Sequence, residues 1–71
     1  MEIKINRKKL IEARYANGLS VLQLSKKAGV AYLTAMNVEK GKTPPIPSTI
    51  QKICDALDVR VEDVVTISEY V

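Results

Sequence analysis

The chain of 71 residues contains no histidine, tryptophan or phenylalanine, and its only cysteine is Cys54. These absences exclude an imidazole base, an intramolecular disulfide and a zinc site built from cysteine and histidine. Apolar runs are short, so no segment is predicted to span a membrane, and residues 1–5 lack the apolar stretch of a signal peptide. We therefore expect a cytoplasmic binding protein that is not an enzyme and uses no metal, cofactor or small-molecule ligand.

Charge is distributed unevenly along the chain. Residues 1–43 carry nine basic and three acidic side chains, which leaves +6, whereas residues 44–71 carry two basic and five acidic ones, which leaves −3. A basic first part favours a polyanionic partner. A solvated surface with a chance asymmetry explains the same counts equally well.

Hydrophobic periodicity and turn residues predict five helices, over residues 7–16, 21–28, 31–40, 47–57 and 61–65. Asn6 and Ser20 are suitable N-caps for the first two, and Gly18, Gly29 and Gly41 end the first three. In the fourth helix apolar residues recur with the spacing of a core-facing stripe: Ile50, Ile53, Cys54 and Leu57. Alternating polar and apolar residues at 2–5 and 66–71 predict short strands that pair at the ends of the chain.

The second and third helices fit a helix-turn-helix unit of twenty residues, counted from Val21 to Lys40. Because the two helices cross steeply, position five must be small, and it is Ser25. Position nine must accept a positive φ, and it is Gly29. Five other positions must be apolar, and they are Leu24, Ala28, Val30, Ala35 and Val38. All seven constraints are met.

The chain resembles the Xre-type, Cro/phage-repressor-like helix-turn-helix regulators over residues 7–65. The similar pieces are Leu10 with Arg14, Gly18-Leu19-Ser20, Leu24, Gly29-Val30, Val38-Glu39-Lys40-Gly41-Lys42, Pro45, Thr49-Ile50, Lys52-Ile53, Ala56-Leu57 and Val59. The resemblance implies an all-α fold, a compact five-helix bundle of the lambda-repressor-like type, as a single domain over residues 1–71. It also implies that helix 31–40 enters the DNA major groove and that Arg14 forms a structural ion pair with Glu39.

The chain departs from the pattern of the family in three places. Val21 stands where a glutamine that grips the DNA backbone is common. The recognition helix begins with Ala31-Tyr32-Leu33, where polar residues are usual, and Asp58 replaces a frequent glycine. These differences affect the expected DNA contacts more than the expected fold.

The side chains of helix 31–40 that the core does not need are predicted to read bases: Tyr32, Leu33, Thr34, Met36 and Asn37. The Asn37 amide can pair with adenine through two hydrogen bonds, and apolar side chains can touch a thymine methyl group. Each residue also has a structural interpretation. Tyr32 can be partly buried, Leu33 and Met36 can face a protein, Thr34 can settle helix geometry, and Asn37 can be an ordinary surface residue.

Phosphate contacts are predicted at the ends of the helix-turn-helix unit, where donors position a protein without reading sequence. The predicted residues are Ser20, Lys40, Lys42 and Thr43. The Arg7-Lys8-Lys9 run lies at a helix N-terminus, where positive charge is unfavourable. A nearby anion or simple solvation explains that run.

The sequence as a whole predicts a sequence-specific double-stranded DNA-binding transcriptional regulator, expected to be a repressor. A single module reads few base pairs, so a homodimer is expected. Its predicted interface is the C-terminal region: Val61, Val64, Val65, Ile67 and Tyr70. The alternative is a protein-interaction module, antitoxin-like or bridging, with little DNA affinity. The apolar Tyr32-Leu33 start favours the alternative, and the basic first part disfavours it.

Overall fold

The computed structural model describes residues 2–42 and 46–68, which contain five helices and two strands. In chain order the elements are β1 (Glu2–Ile5), α1 (Arg7–Ala16), α2 (Val21–Ala28), α3 (Tyr32–Lys40), α4 (Pro47–Leu57), α5 (Val61–Val64) and β2 (Val65–Ser68). The strands pair antiparallel, with Ile5 opposite Val65. The predicted all-α bundle with short terminal strands is therefore confirmed.

Two predicted helix boundaries are wrong by one residue. Helix α3 begins at Tyr32 because Ala31 has extended dihedral angles, with φ −64° and ψ 146°. Helix α5 ends at Val64 because Val65 is already extended, with φ −120° and ψ 132°, and belongs to β2. The last residues of the predicted C-terminal strand, 69–71, lie outside the described residues.

The core is formed where α4 lies against the helix-turn-helix unit. All four residues of the predicted α4 stripe are buried, and Ile53, Cys54 and Leu57 are at most 1% exposed. Leu24 of α2 is also 1% exposed and belongs to the same cluster. Burial of the α4 stripe therefore fixes the position of α2, and through it the position of α3.

The prediction that Val64 belongs to the dimer interface is wrong. Val64 is 2% exposed and packs in the core, so its side chain is not available to a second subunit. Val61 and Val65 are half-buried against the same cluster. The side chain of Ile67 and the whole of Tyr70 lie outside the described residues.

Cys54 is fully buried and is the free thiol of the chain. Burial, with smaller contributions from the negative charges of Asp55 and Asp63, raises the pKa of this thiol to about 11. Since the thiolate is the reactive form, we expect the native protein to resist a disulfide reagent at pH 8 and to react at once in urea. Rapid reaction of the native protein would contradict the burial.

The raised pKa of Cys54 also predicts a dependence of stability on pH. As pH rises, the thiol of the unfolded chain loses its proton before the buried thiol does, so the free energy of unfolding should fall between about pH 9 and pH 11.

Four helices are followed by a residue with positive φ: Gly18, Gly29, Gly41 and Asp58. In each case the following N–H donates to the carbonyl five residues back, at 3.0–3.2 Å between nitrogen and oxygen. This is the Schellman arrangement, which favours glycine because it has no Cβ. Asp58, with φ 56° and ψ 44°, holds the same conformation at the end of α4 with a side chain.

We predict that Asp58→Gly stabilises the protein. Removing the Cβ from the left-handed conformation should raise the free energy of unfolding by about 0.5–1 kcal/mol. Asp55→Gly is the matched control, because it makes the same change inside α4. It should lower stability by about 0.3 kcal/mol through helix propensity, and it also removes the acceptor of the hydrogen bond from Gln51 Nε2. Urea denaturation of both variants measures whether each change raises or lowers the free energy of unfolding. A loss of stability in both would mean that the Asp58 side chain contributes more than its backbone costs.

The described part of the chain has no helix with the length and apolar character needed to cross a membrane.

Candidate nucleic-acid interface

The contact between α2 and α3 depends on small and apolar residues at the predicted positions. Ser25 is 2% exposed, and its Oγ donates to the Leu22 carbonyl at 2.7 Å, so its hydroxyl is buried with a partner. Gly29 turns the chain with φ 72°. Ala35 and Val38 of α3 are buried against α2, while Ala28 and Val30 pack at the edge of the core. The two helices therefore form a helix-turn-helix.

Helix α3 divides into a buried side and an open side. Ala35, Val38 and Glu39 are buried. The open side carries the residues predicted to read bases: Leu33 is 61% and Tyr32 46% exposed, and Thr34, Met36 and Asn37 are half-buried. Within the described residues no hydrogen bond involves the Asn37 amide. No described residue therefore occupies its donors or its acceptor.

An ion pair fastens α3 to α1. Arg14 Nη2 lies 2.6 Å from Glu39 Oε1, and Arg14 Nε donates to Glu39 Oε2 at 2.9 Å. Arg14 Nη1 also donates to the Leu19 carbonyl at 3.0 Å, and the guanidinium lies over the Tyr15 ring. The side chains of the pair are each 11% exposed. The hydrogen bond to Glu39 raises the pKa of Arg14 above its usual value.

Arg7 makes a second link between α1 and α3 that the sequence analysis missed. Its Nε donates to the backbone carbonyl of Glu39 at 2.9 Å, at the end of α3. A cation at this end of a helix is favourable, since the unpaired carbonyls carry partial negative charge. The sequence places Arg7 at the start of α1, so only the packing of α1 against α3 reveals this partner. Similarly, Asn17 Nδ2 donates to the Leu57 carbonyl at 3.1 Å.

Gly41 is predicted to be the least replaceable of the helix-ending glycines. A Cβ at Gly41 would lie 3.1 Å from Cδ of Arg7, whereas a Cβ at Gly29 would meet no atom within 4 Å. Both glycines have φ near +70°, so alanine costs about 1–2 kcal/mol in backbone strain at either position. Gly41→Ala should lower stability more than Gly29→Ala, as measured by urea denaturation.

The control for this prediction is the same pair of variants with Met at position 7. If the additional cost at Gly41 comes from the Arg7 side chain, it disappears when that side chain is free to move away. If Gly41→Ala still cost more stability than Gly29→Ala with Met at position 7, the additional cost would not come from the Arg7 side chain.

The predicted phosphate-contacting residues lie at opposite ends of the unit. Ser20 caps α2, with its Oγ accepting from the Gln23 N–H at 3.1 Å and Gln23 Oε1 accepting from the Ser20 N–H at 2.8 Å. This capping box occupies the Ser20 backbone N–H, while the hydroxyl proton remains a possible donor. Lys40 at the end of α3 and Lys42 just after it are exposed. Thr43 lies outside the described residues.

The sequence profile of the Cro/C1-type helix-turn-helix DNA-binding domain matches residues 9–69. The chain belongs to this family. As a Cro/C1-type domain it is a DNA-binding module of the kind found in transcription regulators. The predicted membership of the Cro/phage-repressor-like family is therefore confirmed. Among curated proteins, none is significantly similar to the chain.

Two solved structures share this Cro/C1-type fold. The restriction-modification controller protein C.AhdI from Aeromonas hydrophila is 30% identical, with a TM-score of 0.74 over 80% of this chain and 86% of that chain. A chain of the SinR protein/SinI protein complex is 29% identical, with a TM-score of 0.75 over 82% of this chain. The match spans 57% of that second chain. Both similarities cover most of the present domain.

Proposed function

We propose that this Cro/C1-type domain is a sequence-specific regulator of transcription that inserts α3 in the major groove of double-stranded DNA. The observation that carries the proposal is the open side of α3, where Tyr32 and Leu33 are exposed and the half-buried Asn37 amide makes no hydrogen bond with any described residue. A helix of this width fits the major groove, where each base pair presents a distinct pattern of donors, acceptors and methyl groups. We further propose that binding blocks a promoter, so that the protein is a repressor.

The proposed base contacts divide by chemistry. Asn37 pairs with adenine through its amide. Leu33, which is 61% exposed, and Met36 offer apolar surface to thymine methyl groups. Tyr32 and Thr34 each supply a hydroxyl for a base edge or a phosphate. This combination favours a site that contains A·T base pairs.

The proposed phosphate contacts fix the domain on the duplex. Ser20 supplies its hydroxyl, and the N–H groups of Val21 and Leu22 have no acceptor among the described residues, because a helix leaves its first donors unpaired. Lys40, the last residue of α3, and Lys42, two residues later, are exposed and supply positive charge at the other end of the unit. Thr43 is proposed as a further donor. Half-buried Val21 gives no side-chain contact with the backbone, so this task falls to Ser20 and the amides.

We also propose a homodimer that uses the C-terminal region, in which two copies of α3 meet half-sites about 34 Å apart. Of the predicted interface residues, Val61 and Val65 are half-buried, so part of their surface is open. Ile67 and Tyr70 are proposed as the other interface residues. Val64 is excluded by its burial. Sedimentation at high concentration with and without DNA tests this; a monomer under both conditions would contradict it.

The decisive experiment is selection of bound duplexes from a random DNA pool, followed by titration of the best sequence at several salt concentrations. We expect one enriched motif and an affinity that falls linearly with salt on logarithmic axes, since phosphate contacts release counterions. Absence of any enriched sequence, together with indifference to salt, would overturn the proposal.

The second candidate function is a protein-interaction module, antitoxin-like or bridging. Leu22, Tyr32 and Leu33 are 47%, 46% and 61% exposed, so apolar surface is available at the starts of α2 and α3. Binding of a protein at this surface, with no salt-dependent DNA affinity, is the result that would favour it over the regulator.

A further inference from the structure

We infer that Arg7 is a bridging residue that joins the end of α3 to a phosphate of the bound DNA. Its Nε donates a hydrogen bond to the Glu39 carbonyl at 2.9 Å, and this bond holds the guanidinium beside the last turn of α3. Nη1 and Nη2 make no hydrogen bond with any described residue, and Arg7 is exposed. The inference rests on the proposed DNA binding and adds a contact that the helix-turn-helix unit itself does not contain.

The geometry favours this use because an arginine fork can serve two acceptors at once. A guanidinium has five N–H donors in a rigid plane and matches a phosphate through its terminal pair. With Nε fixed on the carbonyl, the direction of the terminal nitrogens is set by α3 itself. The position of Gly41 adds to this, since Cδ of Arg7 lies only 3.1 Å from the point where any other residue would place a Cβ.

Among the described residues, the charges around Arg7 favour an external anion over an acidic side chain. Lys40 and Lys42 flank the same end of α3 and are exposed, so Arg7 completes a group of three cations there. Glu39, the acidic residue in contact, already has both carboxylate oxygens bonded to Arg14. A DNA phosphate supplies the missing negative charge, because the end of a recognition helix and the following loop approach the backbone of the duplex.

The first test compares Arg7→Met with Lys9→Met by titrating the selected duplex at several salt concentrations. Met keeps the alkyl stem of Arg7 and removes its donors. Lys9 is in the same turn of α1 but lines the groove beside Glu12 and Asp63, so Lys9→Met is a control with the same change in charge. Loss of one phosphate contact should reduce the slope of log affinity against log salt by about 0.9 for Arg7→Met, with little change for Lys9→Met.

Arg7→Lys separates the contact with phosphate from the contact with the carbonyl. Lysine carries one compact ammonium group and cannot serve two acceptors with a fixed fork. We expect Arg7→Lys to lower the melting temperature as Arg7→Met does, while keeping the salt slope near that of the wild type. This variant also keeps the test available if Arg7→Met does not fold.

Two results would overturn the inference. If Arg7→Met lowers the melting temperature and leaves the salt slope unchanged, Arg7 only caps α3. If Lys9→Met reduces the slope as much, the effect is one of general charge. Failure of the wild-type protein to bind any selected duplex would instead refute the proposed function, so the two failures are distinguishable.

Discussion

Replacing Arg14 with Ala is expected to lower the free energy of unfolding by about 3 kcal/mol, because it leaves the Glu39 carboxylate without its partner in a site of low exposure. Both side chains of the pair are 11% exposed. The substitution also removes the donor to the Leu19 carbonyl. A single core of this size supplies about 3–5 kcal/mol, so much of the Arg14→Ala protein should be unfolded at 37 °C. Thermal and urea denaturation measure the effect.

The matched control is the double variant Arg14→Met with Glu39→Met. Removing both charges leaves no buried carboxylate to desolvate, so the double variant should be more stable than Arg14→Ala. DNA affinity at low temperature should fall in both variants, since each loses the bond that holds α3 against α1. Unchanged thermal stability of Arg14→Ala would contradict a structural role for the pair.

Replacing Asn37 with Ala is expected to weaken binding to the selected duplex by about 1–3 kcal/mol, through loss of two hydrogen bonds to one base. Binding to unrelated DNA should hardly change, because that affinity comes from phosphate contacts. The stability of the variant should also stay close to that of the wild type, since the amide has no hydrogen-bond partner among the described residues. Fluorescence anisotropy with selected and unrelated duplexes measures the difference.

Lys42→Met provides the contrast for Asn37→Ala. Lys42 is exposed after the end of α3, so its loss should weaken all sequences about equally and reduce the salt slope. If Asn37→Ala weakened binding to selected and unrelated duplexes equally, Asn37 would not be a base-reading residue. Repeating the selection with the Asn37→Ala protein should relax the motif at one position.

Local features of the sequence predicted most of the fold. The N-caps Asn6 and Ser20 and the left-handed positions Gly18, Gly29 and Gly41 set helix ends within one residue, because caps and positive φ depend on adjacent backbone groups. The α4 stripe was readable since the spacing of apolar residues follows the helical period. The capping box of Ser20 with Gln23 was not predicted, although two polar residues three positions apart are its signal in a sequence.

The candidate site was only partly predictable. The sequence indicated which residues of α3 belong to the core, and hence which side remains open. It did not indicate that Val64 is buried, since a short helix presents apolar residues to both neighbours and only packing selects one. Nor did it reveal Arg7, whose acceptor is a backbone carbonyl 32 positions away.

The sequence by itself determined the helices, their ends, the small residues of the turn and the excess of positive charge in the first part, because these depend on neighbours along the chain and on composition. The resemblance had implied the role of Arg14, but the tertiary structure alone decided that Arg7 also bonds α3. Arg7 and Arg14 are both arginines of α1, but in α3 Arg7 bonds the backbone carbonyl of Glu39 whereas Arg14 bonds its carboxylate. Every carbonyl and carboxylate is a possible acceptor in the sequence, and only the approach of α1 to α3 brings a particular one within hydrogen-bonding distance.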